Sequence, residues 1–355
     1  MSKIKMFDMG FGDAHLLERK DYNEKLLVDF GSYNSKVAKV ASVSIPKIKS
    51  EISKEYNVSF LLTHFHWDHY NQLSNLPDNL FDNIYLRNVY DSEVTVYRSI
   101  YELMYFAKKG RRWENALNTI LAIPNLLRLL KPSGEFVFVR KGSSFVLNNE
   151  TYEVYRPDIN IEAFQPIIFE ENNVNGFIKD MLSSIDAMRN YILDIGIQME
   201  GGTFTLSNER LRNSEIQVNE ISNWIKGIAE GFNFELSFTT KRKLSDFIRS
   251  TDEHKFNIIF GLKNKNEFRL LMCGDAESKD VENVVSENAI TKINVLKAPH
   301  HGTPSHFPKL SNVEIVNVLI PYSYPIYPCK GYSIDGRYFK APYDNSFIPP
   351  KDFDY

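Results

Sequence analysis

The chain has 355 residues, of which 43% are hydrophobic and 13% aromatic, and its formal net charge is -3. That content is ample for a sizeable core, and the charge balance excludes a globally basic nucleic-acid footprint while leaving room for a local patch. Two cysteines, Cys273 and Cys329, cannot build a disulfide framework, no run of about 18 apolar residues marks a membrane span, and MSKIKMFDMGFGDAH holds no apolar signal-peptide core, so a cytoplasmic protein without membrane contact is expected.

In chain order, KIKMFDMG and AHLLER read as strands flanking a Gly10-Phe11-Gly12-Asp13 turn, and KLLVDFG as a third. VSFLLT is a short, partly β-branched apolar run, expected to be a buried strand ending at Thr63. NIYLRN reads as the next strand. From Ser92 to Leu130 the pattern is helical with a break at Gly110, and its aromatic and leucine content reads as a helix-packing face. EFVFVRKG, SSFVLN and TYEVYRP return to strands. Residues 160–255 hold helical runs at 176–195 and 213–229 between polar connectors, and 91–250 as a whole is expected to carry helical insertions or a cap within one domain spanning 1–355. KFNIIFGLKNKNEFRLLMCGD reads as a hairpin, INVLKAPHHGT as a strand running into a loop and VEIVNVLIPYS as a last strand. The tail from Tyr327 is expected to be irregular.

Chemistry concentrates in LLTHFHWDHY, residues 61–70, which uses three of the eight histidines. On a loop leaving a strand, residues two apart can point the same way, so His64 and His66 can face one metal ion. Asp68 and His69, one turn on, can face a second. Imidazole and carboxylate ligands suit zinc, and also manganese or iron. No cysteine lies nearby, which favours an open catalytic site over a closed structural one.

HFHWDH resembles the His-x-His-x-Asp-His signature of the metallo-β-lactamase superfamily. LLMCGDAE resembles the strand that delivers a metal-bridging aspartate, here Asp275, and VLKAPHHGT resembles the late histidine motif, here His300 and His301. MFDMGFGDAHLLE with LLVDFG resembles the N-terminal strands of the branch containing ComEC-type DNA-uptake metallo-hydrolases. The resemblance covers residues 1–90 and 255–325 and says little about 91–250. It implies an α/β fold, a four-layer αββα sandwich with the metal site at one edge between two sheets. It also implies two divalent metal ions, zinc first and manganese second, held by His64 and His66 at one position and by Asp68, His69 and His300 at the other, with Asp275 bridging. A hydroxide held between the ions would attack the substrate, with Asp68 orienting it and His301 beside it on a substrate oxygen or supporting a ligand.

Members with two full sites carry another histidine between the first cluster and the bridging aspartate. The corresponding stretch here is YEVYRPD, where Pro157 and Asp158 fall at that place. Either Asp158 serves as an oxygen ligand, which suits manganese, or the first site is one ligand short and the protein holds one metal tightly and one weakly.

Other residues have plainer readings. His15 reads as a satisfied strand histidine, His254 as a solvated loop residue between Glu253 and Lys255, and Cys273 as core. Asp13 and Asp29 are candidates to support metal ligands. Thr303, Ser305 and His306 are candidates to touch substrate phosphate or carboxylate, or to shape their loop. The basic runs KKGRR (108–112) and KRK (241–243) read as solvated helix ends and loops more readily than as polyanion contacts. No Gly-rich stretch ends in Gly-Lys-Ser or Gly-Lys-Thr, so no nucleotide-driven motor is expected.

The expected activity is metal-dependent hydrolysis, with phosphoesters of nucleic acids or nucleotides favoured over lactone, thioester or β-lactam substrates. The reading from a different class is a non-catalytic metal-binding module that binds nucleic acid or a partner protein. A protein partner in a multi-component system is a further expectation.

Overall fold

The computed structural model describes residues 2–9, 12–32, 38–53, 55–107, 110–158, 165–199, 203–213, 215–251, 253–303, 305–320, 337–340 and 351–354. The strands are β1 (Ser2–Met6), β2 (His15–Arg19), β3 (Glu24–Val28), β4 (Asn57–Leu61), β5 (Phe81–Leu86), β6 (Leu130–Phe138), β7 (Ser144–Leu147), β8 (Glu150–Arg156), β9 (Ile197–Gln198), β10 (Phe204–Ser207), β11 (Ile259–Asn264), β12 (Glu267–Met272), β13 (Lys292–Lys297), β14 (Glu314–Ile320), β15 (Arg337–Lys340) and β16 (Lys351–Asp354). The α-helices are α1 (Ala38–Glu51), α2 (Trp67–Tyr70), α3 (Glu93–Phe106), α4 (Gly110–Ile120), α5 (Ala122–Leu127), α6 (Asn172–Ile195), α7 (Asn208–Asn213), α8 (Glu215–Gly231), α9 (Phe238–Ser250) and α10 (Ser278–Glu287).

Strand alternation explains the layers. Successive side chains point to opposite faces, and both faces here are apolar, so each sheet needs cover on two sides. One sheet runs β16-β1-β2-β3-β4-β5-β6-β10-β9 and the other β15-β14-β13-β12-β11-β8-β7. Ile4, Leu17, Leu26, Leu61 and Val137 of the first meet Tyr152, Phe260, Leu270, Val295 and Leu319 of the second in one buried cluster between the sheets. The opposite face of the first sheet, with Leu16, Leu27, Phe60 and Phe136, packs on helical residues from Ile48 to Ile248. The opposite face of the second, with Phe268, Leu271, Ile293 and Val318, packs on Val281, Val284 and Val285 of α10, spaced to share one helix face. Helices, sheet, sheet and helix thus form the four-layer α/β sandwich expected from the sequence.

Residues 91–250 also contribute strands. β6, β9 and β10 extend the first sheet and β7 and β8 the second, so the helices fall in two stretches on either side of β6–β8. Ile100, Tyr101, Leu103 and Met104 of α3 are core, as the packing-face reading of 92–130 requires. The tail departs from expectation. Cys329 lies outside the described residues, but β15 adds parallel to β14 and β16 antiparallel to β1. Short edge strands pair through the backbone, so Pro- and Gly-rich surroundings conceal them.

Candidate metal centre

The candidate ligands gather because strands of both sheets end at the same edge. β4 runs into Thr63, His64 and His66, β12 into Asp275, and β13 into His300 and His301. The loop before β11 is tied across to the other sheet by the Ile258 amide donating to the Thr63 carbonyl at 2.9 Å. Close backbone approach holds the loops. A Cβ on Gly31 would overlap the Asp68 carbonyl and the His69 amide, and the Phe30 amide donates to the His69 carbonyl at 2.6 Å. Gly31→Ala is therefore expected to destabilise the fold by about 2–3 kcal/mol, the cost of an overpacked core, read as a lower denaturation midpoint together with reduced metal content.

Asp275 is the hub. It is buried, and its Oδ2 lies 3.2 Å from His69 Nε2 and 3.3 Å from His301 Nε2. The same oxygen lies 3.9 Å from His300 Nε2 and 4.0 Å from both His64 Nε2 and His254 Nε2. Gly274 takes φ +47 to turn this residue inward, and Asn257 Oδ1 accepts from the Asp275 amide at 3.0 Å.

Of three groups of candidate ligands gathered here among the described residues, one joins His254 to His300 and His306, and the other two border this hub. In the first of these two, ring nitrogens of His64, His66 and His254 lie within 4.8 Å of one another. His254 is only 8% exposed, which overturns its reading as a solvated loop residue. The turn Glu253–Phe256 is 3-10, so His254 and Phe256 point inward while Lys255 points out. In the second group Asp13, His69, Asp275 and His301 offer atoms within 4.8 Å, and His301 Nε2 is 3.0 Å from Asp68 Oδ2. Asp158 is not brought to either group. It is half exposed and its carboxylate pairs with Lys141 at 3.3 Å, because β8 ends on the side where Lys141 also holds Glu287.

The late histidines separate. His301 has a side chain 2% exposed and faces Asp68 and Asp275, whereas the His300 side chain is 25% exposed and reaches the cleft. His306 packs on His300, with Nδ1 to Nδ1 at 3.1 Å. The Thr303 hydroxyl donates to the His300 carbonyl at 2.6 Å, and the Ser305 hydroxyl lies 3.1 Å from His306 Nδ1. These contacts shape the loop.

Carboxylates aim the buried rings. Asp29 Oδ2 is 2.9 Å from His69 Nδ1 and accepts from the Thr63 hydroxyl at 2.7 Å. Asp13 Oδ1 is 3.2 Å from His301 Nδ1. Each contact leaves Nε2 turned to Asp275, the orientation a metal ligand needs. Lys297, buried, sets its ammonium 2.5 Å from Asp13 and donates to the Gly274 carbonyl at 2.7 Å. Burial opposes the charge on Asp13, but Lys297 overcomes it and holds that carboxyl far below its ordinary range.

The histidines divide by charge as well. Burial pushes His64 well below its ordinary value and His66 down to about 3. Burial also opposes charge on His69 and His301, yet Asp275, with Asp29 or Asp13, raises both well above it. His64 Nε2 and His69 Nε2 are buried without a hydrogen-bond partner. Orphaned imidazole nitrogens converging on one carboxylate are a donor set that fits divalent metal. His15 is buried with neither ring nitrogen hydrogen-bonded, and burial pushes it down to about 3, so it is a neutral strand histidine lacking the partner expected for it. Cys273 is buried and its thiol is pushed up to about 12, in keeping with a core role.

A cleft of about 630 Å³ opens on this centre, lined by His66, Asp68, His254, Asp275 and His300 on one side. Among the described residues no helix is long and apolar enough to cross a membrane.

No family model and no curated protein matches the chain. Among solved structures, a metallo-β-lactamase from Staphylococcus aureus subsp. aureus COL is similar at 11% identity over 84% of this chain and 92% of that one, with a TM-score of 0.22. That superposition is too loose to transfer any residue.

Proposed function

We propose that the protein is a metal-dependent hydrolase of the metallo-β-lactamase type, with two divalent ions held around Asp275 and phosphoesters as substrates. The observation that carries this reading is the Asp275 carboxylate with nitrogens of five histidines within 4.0 Å of one oxygen. His64, His66 and His254 would hold the first ion. Asp68, His69 and His301 would hold the second, with Asp275 shared. His254 thereby takes the place that Asp158 was expected to fill, and His301 the place expected of His300.

Bound there, the ions would lower the pKa of a coordinated water to about 7 and polarise the scissile group. The chain's own residues set the stage. Asp29 and Asp13 fix the ring planes of His69 and His301, so no reorganisation is needed when an ion arrives. Lys297 balances the buried carboxylates when the ions are absent. His300, on the cleft wall, would hydrogen-bond a substrate oxygen. ComEC-type kinship remains the more specific form of this reading, supported by the N-terminal strands that flank Asp13 and Asp29.

The test is turnover of bis(4-nitrophenyl) phosphate, a lactone and a thioester by protein reconstituted with zinc or manganese. Phosphodiester turnover that chelator abolishes and metal restores is expected. Turnover confined to the lactone or thioester would move the substrate to the other class, and no turnover with either metal would favour the binding-module reading.

Protonation gives a second expectation. In the metal-free protein the neighbouring carboxylates favour the protonated rings of His69 and His301, and burial favours the neutral rings of His64 and His66. Coordination needs the neutral ring, so metal loading near pH 7 should release protons from this pair. The release should fade as pH rises through the raised values of this pair. The charged pair stabilises the metal-free fold fully below about pH 6.5, and that contribution is lost as pH rises through the folded-state values. Calorimetric titration in buffers of different ionisation heat measures the release, and a value near zero at pH 7 would contradict the assignment.

A further inference from the structure

The wall of the cleft opposite the metal centre is built by helices and is rich in arginine. Arg98 comes from α3, Arg111 and Arg112 from α4, and Arg249 from α9. The only carboxylate on that wall, among the described residues, is Glu102, which takes the Arg98 Nη2 at 3.1 Å. Arg98 is 8% exposed, yet its Nε and Nη1 have no hydrogen-bond partner. A buried guanidinium normally has its fork filled, because an unpaired buried donor costs the full desolvation of that group. Arg98 therefore lines, with buried and unfilled donors behind its Glu102 contact, a cleft whose other arginines add positive charge and whose far side holds the metal ligands.

We propose that this arginine wall is a subsite for a phosphate of the substrate other than the one being cleaved, so that the substrate is a nucleotide or oligonucleotide carrying a phosphodiester at the metal centre. The inference rests on the hydrolase reading for the second phosphate and on Arg98 for the first. Guanidinium matches phosphate through paired, charge-assisted hydrogen bonds, and Arg98, Arg111, Arg112 and Arg249 gather that chemistry on one wall of the cleft. The helices that carry the wall thus act in substrate selection. Arg111 and Arg112 belong to the basic run that in sequence reads as a solvated helix end.

The test uses the full chain loaded with metal, with a short fluorescent oligothymidylate as the probe and fluorescence anisotropy as the readout. Arg98→Gln should weaken binding about tenfold, the loss of one charge-assisted hydrogen bond, with metal content unchanged. Because Arg98 is buried, the exposed pair Arg111→Gln with Arg112→Gln provides a second variant. It should weaken binding and lower the slope of log affinity against log salt by roughly 0.7 for each phosphate contact removed. Unchanged affinity and salt slope in both variants would overturn the subsite. Binding that these variants weaken, with no cleavage by the wild type, would instead remove the hydrolase reading and leave the subsite standing. Cleavage of a neutral ester, unaffected by the variants and without oligothymidylate binding, would do the reverse.

Discussion

Asp275→Ala is expected to lower phosphodiester turnover on the order of 10³-fold or more, the loss of several kcal/mol of metal-derived stabilisation. The carboxylate is the one group that both histidine sets approach. Without it each ion loses a ligand, and His69 and His301 lose the carboxylate that both face. The fold should persist, since Lys297 keeps Asp13 and the Gly274 carbonyl as partners. Asp275→Asn keeps the shape and one oxygen but no charge, and should fall between alanine and wild type. Circular dichroism beside the kinetics separates lost chemistry from lost structure. Wild-type turnover in a folded Asp275→Ala variant is incompatible with a shared metal ligand.

His254→Ala is expected to weaken the first ion at least about 100-fold, the upper end of what removing even a supporting group costs, while the second ion stays. Turnover should then rise only when metal is supplied well above the wild-type requirement. Asp158→Ala is the matched control. Its ion pair with Lys141 is exposed and worth about 0–1 kcal/mol, so its metal requirement should equal that of the wild type. If Asp158→Ala raised the metal requirement and His254→Ala did not, the assignment of the third ligand would be reversed. Competition against a coloured chelator measures both variants on one scale.

The contrast between these two residues shows what the sequence makes legible. His64, His66, Asp68 and His69 share one loop, so their spacing alone reports a common purpose. Asp275, His300 and His301 each follow an apolar strand, and strand ends at one sheet edge meet in space. His254 has neither signal. It sits in a polar connector after the long helical stretch, and only the single 3-10 turn before β11 decides that it faces inward. Position along the chain pointed to Asp158 because β8 precedes β11 in the second sheet, but the chain leaves that sheet after β8 and returns next to β11. Asp13 and Asp29 were readable as supports because the strands β2 and β3 start or end beside them. The arginine wall was not readable, since α9, distant in sequence from the neighbouring α3 and α4, must pack beside them before Arg98, Arg111, Arg112 and Arg249 share a cavity. Lys297 left a trace that could have been followed, a lone lysine closing the apolar strand that leads to the paired histidines.

A binuclear centre completed by His254 fixes how much metal the folded chain retains. Its most direct test is a native mass spectrum of the wild-type chain after reconstitution with excess zinc and removal of unbound metal. Two zinc ions per chain are predicted. A chain that holds one ion or none after that treatment would contradict the account.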